Sequence, residues 1–269
     1  MFPPDLPPVK NKPLYAYRVF AKWLSFFFFG LCSVFGSIFI LPPMRLFLHP
    51  KARFQKHGRI FVSGYFRLFI SFMHFLGIVD FEPDDRGKYR CLSSKIIVAN
   101  HPSLLDVVMV ISLVPNADCI VNTYLRHNIL TGMVRQLYII NSEDLGSTLD
   151  ACIESLKMGN CLVIFPEGTR TPRSGKAILK KGAARIALSS GCNIVPLHNG
   201  GTDKFGLGKK DPWTGFNPRE KYVYRITMGN EIDPGKYRGL PEPAAAKSIT
   251  EEMSLFLFPK IPDYARYAP

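Results

Sequence analysis

The sequence predicts an α/β fold in which a mixed, largely parallel sheet is flanked by helices and preceded by an N-terminal membrane-embedded helical pair. Beyond Asp80, short apolar runs rich in β-branched residues alternate with longer helical patterns, as in consecutive βα units. Before Asp80, two apolar segments are long enough to form helices that insert into a membrane. We therefore divide the chain of 269 residues into a membrane-docking segment, residues 1–82, and an α/β domain, residues 83–269.

The positive charge of the chain is concentrated in its N-terminal third. The whole chain has a net charge of +13, and residues 1–79 hold ten Lys or Arg against one acid, Asp5. This charge is mixed with Phe-rich apolar sequence, which favours an anionic membrane surface over a nucleic acid. The six cysteines are scattered without metal-type pairing, so we expect reduced thiols and no metal or bound cofactor.

Two segments are predicted to dock on the membrane, about 23–41 and 60–79. The first has no charged residue in 19 positions and as a helix spans roughly 28 Å, close to the apolar thickness of a bilayer. Basic residues flank it on both sides, which suits a hairpin or monotopic anchor. The second places four polar residues on one helical face and is predicted to be amphipathic: Ser63, Arg67, Ser71 and His74. The alternative for the pair is an ordinary buried helical hairpin.

The α/β domain is assigned from its apolar runs. We predict strands at 96–99, 117–121, 138–140, 161–165, 193–197 and 222–228. We predict helices at 104–114, 129–137, 147–158, 176–190 and 244–258. Gly191 directly follows the fourth of these helices and favours a left-handed cap there.

His101 lies on a predicted strand-to-helix turn within KIIVANHPSLLD, residues 95–106. Residues 96–98 favour a strand, and the helix pattern begins after Pro102. An imidazole accepts a proton near neutral pH, and the carboxylate of Asp106 can fix its tautomer, which predicts a general-base pair. The alternative needs no catalysis, because Ser103 and Asp106 also match a helix capping box, worth about 1 kcal/mol.

A second predicted strand ends in a loop of similar design, FPEGTRT. It carries one acid, Glu167, one flexible residue, Gly168, and a guanidinium, Arg170. Arginine offers a fork of donors suited to phosphate, and glycine lets the backbone approach a ligand closely. Lys180 and Lys181 follow and are either a solvated helix face or an extension of an anion site.

The motifs NHPSLLD (100–106) and FPEGTRT (165–171), followed by IVPL (194–197), resemble the glycerolipid acyltransferase superfamily, typified by 1-acylglycerol-3-phosphate acyltransferases. The resemblance implies that His101 is the general base on an acceptor hydroxyl and that Asp106 orients it. It implies an acyl donor delivered as a thioester, acyl-carrier protein or coenzyme A, and a lyso-lipid acceptor. We expect residues 83–269 to form the catalytic domain, on the cytoplasmic side of the inner membrane. The candidate substrate-binding residues are Asn100, Ser103, Glu167, Gly168, Thr169, Arg170 and Lys181.

One block departs from that family. The lysophosphatidate enzymes usually end a strand between the two motifs with an Asp-Arg pair that meets the acceptor phosphate, whereas this chain has Asn141 and Ser142 there. We therefore expect a phosphorylated glycerol acceptor to be disfavoured, unless Arg126 or Arg135 replaces the missing group, and a glycolipid or another non-phosphatidate lipid to be the alternative. Two rival functions remain, a thioesterase or lipid hydrolase that uses water as acceptor, and a non-catalytic lipid-binding module.

Overall fold

A seven-stranded sheet organises the part of the chain that the computed structural model describes, residues 8–121, 136–141, 145–173 and 177–259. Its spatial order is β1-β7-β6-β2-β5-β3-β4. Strands β2 to β6 run parallel, while β7 is antiparallel to β6 and parallel to β1. The mixed, largely parallel sheet is therefore confirmed. The strands are β1 (Val79–Pro83), β2 (Ile96–Ala99), β3 (Ala117–Val121), β4 (Ile139–Ile140), β5 (Cys161–Ile164), β6 (Ile194–Gly201) and β7 (Tyr222–Met228).

All six predicted strands form, and β1 is the one that sequence reasoning missed. Its sequence, VDFEP, is half polar and ends in proline, so it lacks the apolar run that marks the other strands. It is held instead by pairing with β7, from Val79 opposite Tyr222 to Pro83 opposite Ile226. The predicted boundary at residue 82 therefore falls inside a strand of the sheet.

The helices flank this sheet and differ from their predicted bounds mainly at their starts. The one predicted at 176–190 begins only at Gly182, and before it the amide of Lys180 donates to Pro166 O at 2.8 Å. The helix predicted at 129–137 lies largely outside the described residues. Gly191 has the predicted left-handed conformation, with φ of 70°. The α-helices are α1 (Lys12–Phe35), α2 (Leu41–Phe47), α3 (Lys51–Phe75), α4 (Arg86–Arg90), α5 (Asp106–Leu113), α6 (Leu145–Lys157), α7 (Gly182–Ser190) and α8 (Glu242–Leu257).

The N-terminal helices form a packed pair with an apolar outer surface. Helix α1, a π-helical turn and α2 follow one another without a break, and Lys12–Phe47 is long and apolar enough to cross a membrane by length and composition. Helix α1 packs antiparallel to α3, with the Phe29 ring 5.2 Å from Tyr65 and 4.7 Å from Phe69. Large apolar side chains remain exposed on this pair, among them Phe20, Phe27, Leu31, Phe35, Phe39, Phe47, Leu68 and Phe75.

The polar row predicted on α3 is divided: Ser63 is buried and Arg67 is half-buried against the protein, whereas Ser71 and His74 are exposed. Arg67 Nη1 donates to Ser63 Oγ at 3.0 Å and to Ser112 O at 3.2 Å, at the C-terminal end of α5. A cation beside helix carbonyls is favoured by the helix dipole. Further along α3, the buried Arg59 and Asp118 of β3 form an ion pair at 3.1 Å. Helix α3 is therefore part of the domain's own packing.

The two faces of the sheet bury separate cores. Ile97 and Ala99 of β2 face the core covered by α3 and α5, while Ile96 and Val98 face the core covered by α6, α7 and α8. Because side chains alternate along a strand, β2 is buried on both sides and its polar residues appear only where it ends. The carboxyl ends of β2 and its neighbour β5 lead directly into the two motif loops.

Candidate active site

His101 and Asp106 are in direct contact at the end of β2. His101 Nδ1 lies 2.9 Å from Asp106 Oδ2. An ionised carboxylate can only accept a hydrogen bond, so Nδ1 carries the proton and the lone pair of the neutral imidazole is on Nε2. The Asp106 side chain is fully buried, whereas that of His101 is 17% exposed. The pair therefore presents one basic nitrogen toward the surface.

Asp106 also forms one half of the expected capping box, the bond that its carboxylate accepts from the amide of Ser103, while Ser103 Oγ accepts from the amide of Leu105 and not from that of Asp106. Its Oδ2 accepts from the amide of Ser103 at 2.6 Å, and its Oδ1 accepts from Ser103 Oγ at 2.7 Å. These bonds fix the carboxylate at the first residue of α5, where a negative charge is favoured by the helix dipole. The same cap that starts α5 thus orients the imidazole of His101.

Tyr224 and Lys204 extend this network, and neither was identified from the sequence. Ser103 Oγ lies 2.8 Å from Tyr224 Oη, and both residues are buried. The ammonium of Lys204 sits 4.5 Å from the centre of the Tyr224 ring. Burial lowers the pKa of Lys204 to about 8, and its Nζ donates to backbone carbonyls, including Val223 O at 2.8 Å. Ser103 and Tyr224 are 121 residues apart in sequence, so no local pattern could have revealed their contact.

Glu167 joins the two motif loops. Its Oε1 accepts from the amide of His101 at 2.9 Å and from Thr171 Oγ1 at 2.7 Å. The amide of Thr171 in turn donates to His101 O at 2.7 Å. Burial raises the pKa of the Glu167 carboxyl, and its Oε2 is buried without a hydrogen-bond partner among the residues that the structure describes. Glu167 therefore links the two motif loops through Oε1, while Oε2 has no partner among the described residues.

Asn100 fixes the end of β2 to β6. Its Oδ1 accepts from the amide of Asn199 at 2.7 Å, and its Nδ2 donates to Asn199 O at 3.0 Å. Asn199 Nδ2 returns a bond to Asn100 O at 2.8 Å. Both side chains are buried, so this pair stabilises the strand from which His101 projects.

Gly168 lies in the turn of the second loop, next to the side chain of Lys180. It has φ of +65°, and a Cβ placed there would lie 2.8 Å from Lys180 Nζ. Thr169, which follows, is exposed. Lys181 is exposed at the start of α7, so Lys180 is the lysine that the structure brings to this loop.

Arg170 is anchored by one of its nitrogens only. Its Nη1 donates to Leu207 O at 2.9 Å and to Gly208 O at 2.8 Å. Its Nε and Nη2 make no hydrogen bond within the described residues, which leaves donors of the guanidinium for a ligand. A held arginine with open donors is suited to an anion.

Arg173 is a second arginine of this loop, and the sequence analysis did not single it out. It forms paired bonds to two carboxylates, Asp203 at 2.6 and 2.9 Å and Asp211 at 2.9 and 3.0 Å. These carboxylates raise the pKa of Arg173 despite its burial. The sequence feature that could have indicated this contact is the presence of two acids, Asp203 and Asp211, in the Gly-rich stretch after IVPL.

The structure therefore joins His101, Asp106 and Glu167 by hydrogen bonds, holds Arg170 on the same loop as Glu167, and buries Asn100 and Ser103 next to His101. Asn141 is exposed after β4, two strands beyond β5. Ser142, Arg126 and Arg135, on which the expectation about the acceptor also rests, lie outside the described residues.

Known proteins match this region of the chain. A family model described as Acyltransferase matches residues 86–199, which contain both motif loops. A 1-acyl-sn-glycerol-3-phosphate acyltransferase of Helicobacter pylori is 35% identical over 116 residues, which cover 39% of this chain and 47% of that protein. A chloroplastic 1-acyl-sn-glycerol-3-phosphate acyltransferase of Arabidopsis thaliana is 31% identical over 115 residues, 40% of this chain and 32% of that protein. The match thus spans about a third to a half of these two relatives.

Longer matches extend the likeness to most of the chain. A probable 1-acyl-sn-glycerol-3-phosphate acyltransferase of Mycoplasma pneumoniae is 24% identical over 219 residues, 76% of this chain and 78% of that protein. The crystal structure of the 1-acyl-sn-glycerophosphate acyltransferase PlsC of Thermotoga maritima has a TM-score of 0.64 at 21% identity, covering 89% of this chain and 97% of that one. At this identity the structural match shows a shared fold. The motif loops and the family model show that residues 86–199 are similar to the glycerolipid acyltransferase superfamily, and most of the chain shares the fold of that crystal structure.

Proposed function

We propose that the protein is a membrane-associated O-acyltransferase that moves a fatty acyl group from a thioester to a hydroxyl of a lysophospholipid. The observation that carries this proposal is the contact between His101 Nδ1 and Asp106 Oδ2 at 2.9 Å, which leaves Nε2 free beside the loop of Arg170. A base without a protein nucleophile next to it suits direct transfer to an acceptor.

The proposed reaction has two steps. His101 Nε2 accepts the proton of the acceptor hydroxyl while the oxygen attacks the thioester carbonyl, giving a tetrahedral intermediate. The intermediate then collapses, the carbon–sulfur bond breaks, and the thiolate takes the proton from His101. Asp106 stabilises the imidazolium between the two steps, and general-base catalysis of this kind contributes roughly 10² to 10⁴ in rate.

The oxyanion of the intermediate needs backbone donors near the second loop. The amide of Gly168 already donates to Phe165 O at 3.0 Å, so it is engaged within the turn. We assign the oxyanion contact to the amides of Thr169 and Arg170, which follow Gly168 at the surface of the loop. Preorganised amides of this type are worth several kcal/mol to a transition state.

Lysophosphatidate is the acceptor that the relatives support, because the three described above are named as 1-acyl-sn-glycerol-3-phosphate acyltransferases. The open donors of Arg170 and the ammonium of Lys180 near Gly168 suit its phosphate. This support outweighs the expectation drawn from Asn141 and Ser142. The donor, acyl-carrier protein or coenzyme A, is proposed only as a thioester class.

Membrane association follows from the exposed apolar side chains of α1, α2 and α3. Their side chains include Phe27 and Phe47, at 69% and 79% exposure, on a segment that also carries most of the excess positive charge. Apolar burial plus attraction to anionic lipids is the combination that holds a monotopic protein on a membrane. We propose the cytoplasmic side, because thioester donors are made there.

Steady-state kinetics in detergent micelles tests the function and separates its rivals. With an acyl thioester and a panel of lyso- and glycolipids, we expect lysophosphatidate to give the highest kcat/KM. We expect His101→Ala to lose at least roughly a hundredfold in rate, while His57→Ala, an exposed histidine of α3, keeps the wild-type rate.

Three results would contradict the proposal. Thioester hydrolysis at the same rate with and without an acceptor indicates a thioesterase. Tight lipid binding with no turnover, unchanged in His101→Ala, indicates a binding module. A glycolipid as the best acceptor restores the expectation based on Asn141 and Ser142.

A further inference from the structure

One face of α1 packs on a loop that borders the active site. We call residues 203–217 the clamp loop. Lys22 of α1 is fully buried, and its Nζ donates to three clamp-loop carbonyls, Trp213 O at 2.7 Å, Gly215 O at 2.6 Å and Gly206 O at 3.4 Å. A buried ammonium is expensive unless its donors are satisfied, so this site is built around the lysine. Membrane binding does not explain Lys22, because its side chain faces the protein.

Aromatic contacts surround this lysine. Trp23 of α1 lies 5.9 Å from Trp213, ring centre to ring centre, and Phe26 lies 6.2 Å from the same ring in an edge-on arrangement. The amide of Phe216 donates to Tyr15 Oη at 3.2 Å. These contacts all come from α1, so the position of the clamp loop depends on that helix.

The same loop aims the arginine of the second motif. Asp211 Oδ2 accepts from the amides of Gly206 and Gly208, both at 2.9 Å. Asp211 Oδ2 therefore links Gly206 to Gly208. Gly206 is bound by Lys22 of α1, and Gly208 binds Arg170.

Close backbone approach at Gly206 keeps this connection short. Gly206 has φ of +91°, and a Cβ there would lie 1.9 Å from Gly215 O and 3.0 Å from Lys22 Nζ. Only glycine fits such a position. The clamp loop is thus folded back on itself under the ammonium of Lys22.

We propose that Lys22 is a positioning residue that fixes the clamp loop so that Arg170 points at the acceptor. Acceptor binding then depends on the docking of α1 against the domain, and not on the motif loops alone. This inference rests on the proposed transferase function, since its kinetic consequence is read in acceptor kinetics.

The kinetic test compares two lysine-to-methionine changes on the same helix. Lys22→Met removes the buried ammonium, and Lys12→Met removes an exposed one near the start of α1. We expect Lys22→Met to raise KM for lysophosphatidate tenfold or more while KM for the acyl thioester stays at the wild-type value. Lys12→Met should match wild type in both constants.

Tryptophan fluorescence tests the contact between α1 and the clamp loop directly. The chain has two tryptophans, Trp23 and Trp213, and both lie in this contact. In an inactive His101→Ala background in micelles, lysophosphatidate should shift the tryptophan emission. Adding Lys22→Met should shift the emission to longer wavelength before any ligand is added and abolish the response.

The proposal is overturned if Lys22→Met keeps both the wild-type acceptor KM and the wild-type emission, or if both KM values rise equally. If Lys22→Met does not fold, Lys22→Gln, which keeps two donors, decides in its place with an intermediate acceptor KM expected. A wild-type protein without transferase activity would end the proposed function, while the emission experiment would still report on the contact between α1 and the clamp loop.

Discussion

The amide of His101 donates to Glu167 Oε1 at 2.9 Å, so the histidine of the first loop is positioned by the acid of the second. His101 and Glu167 are 66 residues apart in sequence. Thr171, on the same loop as Glu167, also donates to Glu167 Oε1. A change at Glu167 therefore acts on the backbone from which the imidazole projects, as well as on the loop that carries Arg170.

Glu167→Gln should harm activity less than Glu167→Ala. The glutamine Oε1 can still accept from His101 and Thr171, whereas alanine removes the acceptor that these two donors share. Hydrogen bonds to a charged group are worth about 1.5–3 kcal/mol, so we expect the alanine variant to lose roughly tenfold to a hundredfold in kcat/KM. Parallel kinetics of both purified variants is the measurement, and equal losses would show that the link between the two loops does not control the site.

Asp106→Asn separates the two roles of this carboxylate. The amide oxygen can still accept from the amide of Ser103, so α5 should keep most of its cap and the protein its melting temperature within a few degrees. An asparagine cannot stabilise an imidazolium, so we expect at least about a hundredfold loss in kcat. Thermal unfolding and kcat are measured on the same preparation. Near wild-type turnover by a folded Asp106→Asn would reduce Asp106 to a structural cap.

Lys204 gives stability a specific pH dependence. Burial lowers its pKa to about 8 in the folded protein, against about 10.4 in an unfolded chain. Between these values the unfolded state binds more protons, so the contribution of Lys204 to stability rises with pH from about 8 to about 10.4 and is lost as pH falls through 8.

Urea unfolding of wild type and Lys204→Met across this pH range measures the difference. The methionine variant loses the bonds that Nζ donates to backbone carbonyls such as Val223 O and should be less stable throughout, with the gap widening as pH rises. A gap that stays constant or narrows would show that Lys204 keeps an ordinary pKa in the fold.

Membrane attachment should survive high salt. Salt screens the attraction of the basic residues to anionic lipid, but it does not release the exposed apolar side chains of α1 to α3. We expect the protein to remain in the membrane fraction after washing in concentrated salt and to require detergent for extraction. As a control, Phe27→Ser with Phe47→Ser should increase the salt-released fraction. Complete release of the wild-type protein by salt would place these helices within an assembly and not on lipid.

The sequence predicts those features that are local. Strands β2 and β5 are unbroken apolar runs, and each ends in a motif of charged and small residues, so both loops could be found by reading along the chain. Strand β1 could not, because it is polar and is held by its distant partner β7. Tyr224, Lys22 and Arg173 were missed for the same reason, since their partners at Ser103, Gly206 and Asp211 are fixed by folding and not by spacing.

The pairing of Val79 in β1 with Tyr222 in β7 also determines the order in which parts of the chain can fold during synthesis. One edge of the sheet cannot close until β7 has left the ribosome, whereas α1 to α3 emerge before it. Long-range pairing of this kind is slow to form, and nascent apolar helices are prone to aggregate while they wait. Delivery of α1 to α3 to a lipid surface during translation would remove that hazard, and β7 would then pair with β1 next to helices that are already in place.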